Sequence, residues 1–472
     1  MSPSTSLHDF AERAFADLSR SSEADQLEVY CSSNKIAGLR IVNNELHESK
    51  LVVDSGLGVR VVKNGFIGYA SLATLSINGA REAYEWALKV AKMGMGEREN
   101  VDFAKPSVGG KMTSTSFLDG KLEGLQGEEL AELGKRMTSP ALSHDNRIYD
   151  CSGSITIVSY EFSVMNSNGI NASDKGGYAY ATLTSMSKDG EHSSQGFDTL
   201  VTKKYSSLVD GVGKTGENSA DMSVRSLGSR QPSSGGYDMI FTPSCLASTM
   251  RNLGLMANGH RVRDGLSMFT ESLGKEVASE VVNIVEDGRL EEGMHTCSVD
   301  DEGLPTRRTA IIERGVLKSF IHDSYTASKF GVQSTGNGLR VWTQVGGSTL
   351  EGRRYDFPPT CSSANFMILA GDCGEDELVE DTKRGILVGW TRYERLLNGK
   401  TGVFTANARS GNFMIENGEL KYPVHGFRIY DTYMNLLKSM DRIANRIEQK
   451  GHWGMAAISP SFRTRGIQIV ST

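Results

Sequence analysis

Two Asn-Gly pairs, Asn64-Gly65 and Asn168-Gly169, stand between runs of strand-like sequence, and they constrain the fold more than any other feature of the chain. A tight two-residue hairpin loop needs positive φ at both central residues, which Asn and Gly adopt at least cost. The runs flanking the first pair, 58–62 and 66–70, therefore predict two antiparallel strands joined directly. Glycine is abundant throughout, 52 of 472 residues or about 11% against a usual ~7%, with only ten prolines. That balance suits a strand-rich architecture with many tight turns, not a collagenous or low-complexity chain.

Helical patterns frame these strands. Leu7, Phe10, Ala11, Ala14, Phe15 and Leu18 recur at helical spacing, with Ser4 or Ser6 available as N-cap. Leu27, Val29 and Cys31 then alternate with polar neighbours. Ser76 precedes Ala80, Ala83, Tyr84, Ala87, Leu88 and Ala91, a second amphipathic helix expected to cover one face of the sheet.

A chain of this length exceeds one hydrophobic core and is expected to divide. The reading is an N-terminal α+β unit over 1–105, a linker over 106–126 where Gly, Ser, Thr and Lys dominate, and a central α+β unit over 127–230. The central unit opens with a helical stretch at 128–137 and offers strands at 154–165 and 178–187, linked through Asn168-Gly169 and Gly176-Gly177. Residues 211–236 read as a further boundary, and 231–472 as a strand-rich domain. There, Ile312-Glu313-Arg314-Gly315-Val316-Leu317-Lys318 echoes Ile415-Glu416-Asn417-Gly418-Glu419-Leu420-Lys421, each a strand, a turn and a strand. The fold class expected is α+β, with mixed, largely antiparallel sheets.

Charge and cysteine usage narrow the function classes. Net charge is −6 and no run of five basic residues occurs, so direct nucleic-acid binding is not expected. The first residues carry no apolar core and nowhere do 18 apolar residues run together, so neither export nor membrane insertion is expected. Six cysteines without a C-x-x-C pair point to reduced, buried thiols and a cytoplasmic chain.

The third segment carries a series of motifs. Asp301-Glu302-Gly303-Leu304-Pro305-Thr306-Arg307-Arg308 leads into an apolar run, followed by Asp323-Ser324-Tyr325-Thr326-Ala327, by Ser334-Thr335-Gly336-Asn337-Gly338, by Gly371-Asp372 with a helix opening at Glu375, and by Ile415-Glu416-Asn417-Gly418 through Pro423-Val424. In this order they resemble the TldD/PmbA peptidase family, over nearly the whole chain. Catalytic members of that family carry H-E-x-x-x-H, whose histidines hold zinc with a later cysteine and whose glutamate is the general base. Here the stretch Leu255-Met256-Ala257-Asn258-Gly259-His260 resembles that motif with its first His and Glu replaced. Leucine offers no donor, and a thioether has no proton-accepting role at neutral pH. The resemblance also implies a late cysteine, yet none lies beyond Cys373; the Gly-rich stretch Gly451-His452-Trp453-Gly454-Met455 has none.

Helical geometry adds an expectation. At ~100° per residue, positions 255 and 260 are roughly 500° apart, about 140° off one face, so the helix is expected to break between them, with Gly259 permitting it. His260 itself reads as a helix-terminal histidine bonded to backbone. Asp300, Asp301 and Glu302 read as a turn or polar anchor, because consecutive carboxylates diverge and a hard cation needs more oxygen ligands. His295 and Cys297 alternate along a possible strand but cannot close a tetrahedral site. The Gly336-Asn337-Gly338 and Gly346-Gly347 loops lack the phosphate-cradling pattern and read as turns.

What the resemblance implies is a PmbA/TldE-like subunit with no zinc and no catalytic residue of its own, paired with a zinc-bearing TldD-like subunit that cleaves unfolded peptides. The family's label as modulators of DNA gyrase is then an indirect effect of peptide processing. Two alternatives stay open: a stand-alone peptidase or other hydrolase with an unrecognised site, and a homodimeric module that binds extended peptides by strand addition.

Overall fold

The computed structural model describes residues 6–94, 102–106, 117–340, 351–452 and 455–472. The fold is α+β. Its first half is one antiparallel sheet of β1 (Gln26–Val42), β2 (Glu45–Lys63), β3 (Phe66–Leu72), β4 (Ile148–Asn166), β5 (Asn171–Asp189) and β6 (His192–Thr202), in the order β3-β2-β1-β4-β5-β6. β1 pairs with β4 along its length, so the N-terminal and central sequence segments contribute to a single sheet. At the β2–β3 turn, Asn64 and Gly65 have φ of 53° and 83°, the left-handed conformation the dipeptide favours.

Residue parity decides what each face of this sheet touches. Odd positions of β1, β4 and β5, among them Val29, Leu39, Ile157 and Ala181, face the helices. There α1 (Leu7–Ser19) and α2 (Ile77–Lys92) cover one end, while α3 (Gly120–Gly124), α4 (Glu128–His144) and α5 (Tyr205–Arg225) cover the other. Even positions, Tyr30, Val158, Tyr160, Phe162, Tyr178 and Tyr180, face away and pack against Met294, Val299 and Tyr355 of the C-terminal region. Because side chains alternate with period two, one register buries both faces, and a slip of one residue would exchange them.

Several local expectations are refined. Ser6 is the N-cap of α1, its hydroxyl accepting from the Asp9 amide while Asp9 accepts from the Ser6 amide. Part of the expected linker is the packed helix α3, because Leu122 and Leu125 are buried in the core under the sheet; residues 107–116 lie outside the described residues. Gly176-Gly177 is no turn but the interior of β5, where a Cβ on Gly176 would come 2.6 Å from the Tyr160 hydroxyl. Gly211, Gly213 and Gly216 sit inside α5, where Gly216 lets α5 cross α4 closely, its Cβ position lying 2.0 Å from the Met137 carbonyl oxygen, whereas Gly228, Gly235 and Gly236 follow the helix.

The C-terminal region holds a nine-stranded sheet around β7 (Gly235–Phe241), which runs parallel to Arg384–Val388 and antiparallel to the last strand, Phe462–Ser471. A six-stranded sheet stands beside it, with β8 (Ile284–Asp287), β9 (Arg308–Glu313) and β10 (Val316–Leu317). The two echoed motifs are hairpins, β9–β10 and Phe413–Glu416 with Glu419–Pro423, each turning through two residues of positive φ. Met250, Leu253 and Met256 of α6 (Ala247–Met256) fill the core of this region together with Phe241, Phe366 and Phe462. All six cysteines are buried and unpaired, and no described helix is long and apolar enough to cross a membrane.

Candidate functional site

α6 ends at Met256, and a second short helix, α7 (Gly259–Arg263), begins after two intervening residues. The break is built by Asn258, whose extended backbone turns the chain while its side chain accepts from the amides of His260 (2.9 Å) and Arg261 (3.3 Å). Backbone bonds from Ile321 to Ala257 and from Gly259 to Ile321, at 2.9 and 3.0 Å, clamp the same corner. Glycine at 259 is required by proximity, since a Cβ there would lie 2.7 Å from Nδ1 of His322 and 2.9 Å from Oγ1 of Thr326. The expected break is present, and tight packing, not left-handed backbone, is what demands the glycine.

The corner separates the three motif positions. Leu255 looks into a cleft, Met256 is fully buried in the core, and His260 sits in the first turn of α7. His260 is not bonded through its ring to backbone, as its sequence position suggests. Its Nε2 lies 2.8 Å from Oδ2 of Asp323, and its ring stacks on Tyr325 at 5.3 Å. Asp323 caps α8 (Ser324–Phe330), accepting from the amide and hydroxyl of Thr326, both at 2.7 Å. Burial works against the Asp323 carboxylate, but the His260 bond and charge, with the Thr326 bonds, hold it below its usual range. An ionised carboxylate only accepts, so His260 Nε2 carries the donated proton. Beside them His322 is buried, which pushes it down to about 4 and keeps it neutral.

A zinc ion does not fit these side chains. Of the three motif positions only His260 offers a hard or borderline donor, and it is engaged with Asp323. Among the described residues no three His, Cys, Asp or Glu side chains converge as metal donors. His295 and Cys297 lie in an irregular loop, not on a strand, and part company: His295 packs edge-on against Tyr178, while Cys297 accepts from Arg353 at 3.2 Å.

The cleft that Leu255 faces opens between α6 and the even face of the N-terminal sheet, with a cavity volume of about 120 Å³. Tyr160 and Tyr178 form its sheet-side wall, Arg251 and Leu255 project from α6, and Glu351 and Ser363 come from loops. Tyr178 and Tyr180 donate to Glu351 at 3.0 and 2.7 Å, and burial holds that carboxyl above its usual range. Gly254 brings Ser363 against the helix, its Oγ only 2.7 Å from where a Cβ would stand.

The acidic run forms the floor that joins the two halves. Asp300, Asp301 and Glu302 are buried in a turn. Asp301 accepts from Tyr30 at 2.9 Å and pairs with Arg353 at 3.2 Å, while Glu302 accepts from the Ser324 amide and hydroxyl. Arg60 and Arg340 both pair with Glu28 of β1 at 2.7 Å. The anchoring role of the acids is legible in the sequence, but their basic partners are not, since isolated arginines far along the chain give no local signal. Gly346-Gly347 lies outside the described residues.

A two-part α+β chain with a helix-capped antiparallel sheet, a large mixed C-terminal sheet and a cleft at a broken helix between them defines a recognisable class. Family models match three consecutive stretches: PmbA/TldA metallopeptidase domain 1 over 27–91, the central domain over 120–227 and the C-terminal domain over 234–471. The chain belongs to the PmbA/TldD metallopeptidase family. A metalloprotease from Methanothermobacter thermautotrophicus is 26% identical over 432 residues, 89% of this chain and 87% of that protein. A metalloprotease TldD homolog from Buchnera aphidicola subsp. Acyrthosiphon pisum is 22% identical over 92% of this chain and 88% of its own length. The crystal structure of TldE from Thermococcus kodakarensis superposes with a TM-score of 0.85 at 23% identity, covering 97% of this chain and all of that one, a likeness of fold.

Proposed function

We propose that this chain is the non-catalytic, TldE-type subunit of a two-component zinc peptidase acting on unfolded peptides in the cytoplasm. The observation that carries the reading is the donor set at the broken helix: Leu255 and Met256 stand where the family motif has its first zinc ligand and its base, and His260 is committed to Asp323. Zinc belongs to the TldD-like partner, where it activates water for attack on a peptide carbonyl. This chain contributes the wall of the chamber, the cleft beside α6 and the surface that meets the partner.

The test is metal content and peptide hydrolysis of the purified chain, alone and mixed with a TldD-type protein from the same source. The chain alone is expected to hold negligible zinc and to cleave nothing, with chelator-sensitive hydrolysis arising only in the mixture. Stoichiometric zinc and cleavage by the chain alone would overturn the reading. A second reading, strand addition by a homodimer, draws on the outer half of β2: residues 45–55 pair only with β1, because β3 reaches no further than Leu57, and Leu51 and Val53 are exposed there.

A further inference from the structure

The cleft beside Leu255 contains a positive charge that no described residue answers. Arg251 lies one helical turn before Leu255, so positions 251, 254 and 255 share the face of α6 that looks into the cleft. Its guanidinium is largely withdrawn from solvent, and no carboxylate, hydroxyl or carbonyl among the described residues bonds it. Every other buried arginine near the cleft is matched: Arg353 by Asp301, and Arg340 and Arg60 by Glu28. The Glu351 carboxylate in the same cleft is held by two tyrosine hydroxyls. Half-burying a cation without a counter-charge is costly, and a ligand anion is the natural remedy.

The surroundings narrow what that anion is. Ser362 and Ser363 line the cleft with hydroxyls that no described residue engages, and Gly254 holds Ser363 against the helix face that carries Arg251. Next to these donors the wall is apolar, with Met250, Leu255 and Phe366. A fork-shaped guanidinium with two hydroxyls suits a carboxylate, and an adjoining apolar wall suits a side chain on the same residue.

We propose that this cleft binds the free C-terminal carboxylate of a peptide whose last side chain is apolar, Arg251 pairing with the carboxylate, Ser363 donating to it, and Leu255 receiving the side chain. Leucine at the degenerate motif position then has a use of its own as specificity surface. The inference takes its ligand class, a peptide, from the subunit reading above, while its test needs no partner.

Fluorescein-labelled tetrapeptides ending in leucine are titrated into the full chain as the free acid, as the C-terminal amide, and as an amide carrying an internal glutamate. The free acid is expected to bind at least about tenfold more tightly than either amide. Arg251→Met keeps the volume, removes the charge and should level the three, whereas Arg251→Lys should keep a reduced preference. Unchanged thermal unfolding of Arg251→Met shows that the fold is intact. Equal binding of acid and amide, preference surviving in Arg251→Met, or no binding of the acid would overturn the assignment. Equal binding of the glutamate-bearing amide would overturn the terminal carboxylate as the group recognised. Hydrolysis by the mixture with a TldD-type protein is scored separately: cleavage without carboxylate preference removes this subsite alone, and preference without cleavage removes the subunit reading alone.

Discussion

His260 donates from Nε2 to Oδ2 of Asp323 across 2.8 Å, and in doing so ties the helix that follows the break to the cap of the next helix. His260 is thereby a structural fastener. Asp323 is buried and His260 only partly so, which makes the carboxylate the member that suffers when the pair is cut.

We predict that His260→Ala leaves hydrolysis by the assembled peptidase largely intact while lowering the stability of this chain by about 1.5–3 kcal/mol, the range for a hydrogen bond to a charged group. The Asp323 carboxyl sits below its ordinary 3.8, so its contribution is complete above that value and is lost as pH falls through its lower folded-state pKa. Acid unfolding of wild type and variant should therefore converge at low pH. Activity loss as large as that from removing a zinc ligand in the partner would contradict the role assigned here.

Gly259→Ala should destabilise by about 1–3 kcal/mol, because the added methyl meets His322 and Thr326 at contact-breaking distances in a packed corner. Denaturant midpoints with an unchanged slope would report this cleanly. A neutral result would mean that the corner relaxes more easily than its clamps suggest.

The buried pair of Arg340 with Glu28 bridges the C-terminal region to β1, and both side chains are fully enclosed. Arg340→Met strands Glu28 with Arg60 alone and removes a bond to the Phe357 carbonyl, for an expected loss of about 3–5 kcal/mol. Limited proteolysis should then reach the N-terminal sheet before the C-terminal region unfolds. Wild-type resistance in the variant would show that apolar contacts across the interface suffice.

Burial pushes the Glu286 carboxyl up to about 7, against bonds from the Ala364 amide and Asn337 that pull it down. Its folded form holds the proton more tightly than the unfolded chain does. Stability accordingly falls as pH rises from the ordinary 4.5 through about 7, by about 3 kcal/mol, and is level above. Glu286→Gln keeps an acceptor for its three donors, the Ala364 and Asn365 amides and the Asn337 side chain, and should remove that slope, gaining on wild type as pH rises from about 4.5 through about 7. Parallel stability profiles would refute the assignment.

Much of the architecture is legible in local patterns. The hairpins at Asn64-Gly65 and Asn417-Gly418 follow from two residues that tolerate positive φ, that at Arg314-Gly315 from its glycine, and the apolar faces of α1 and α2 from a 3.6-residue period, so chain-local chemistry suffices to place them. The motif order that marks the family is likewise a property of the residues alone. Other features have no local signature. Gly176 is a strand interior because the Tyr160 ring crosses it, and Gly259 is held by His322, 63 positions later. The partner of His260 is Asp323, and the arginines that neutralise Glu28 come from the neighbouring strand and from the far side of the molecule. Arg251 is notable only once the fold shows that no counter-charge among the described residues reaches it. Backbone preference and periodicity act within a few residues and are written in order along the chain, whereas charge pairing and close approach depend on distances in space, which exist only after the sheets and helices have packed.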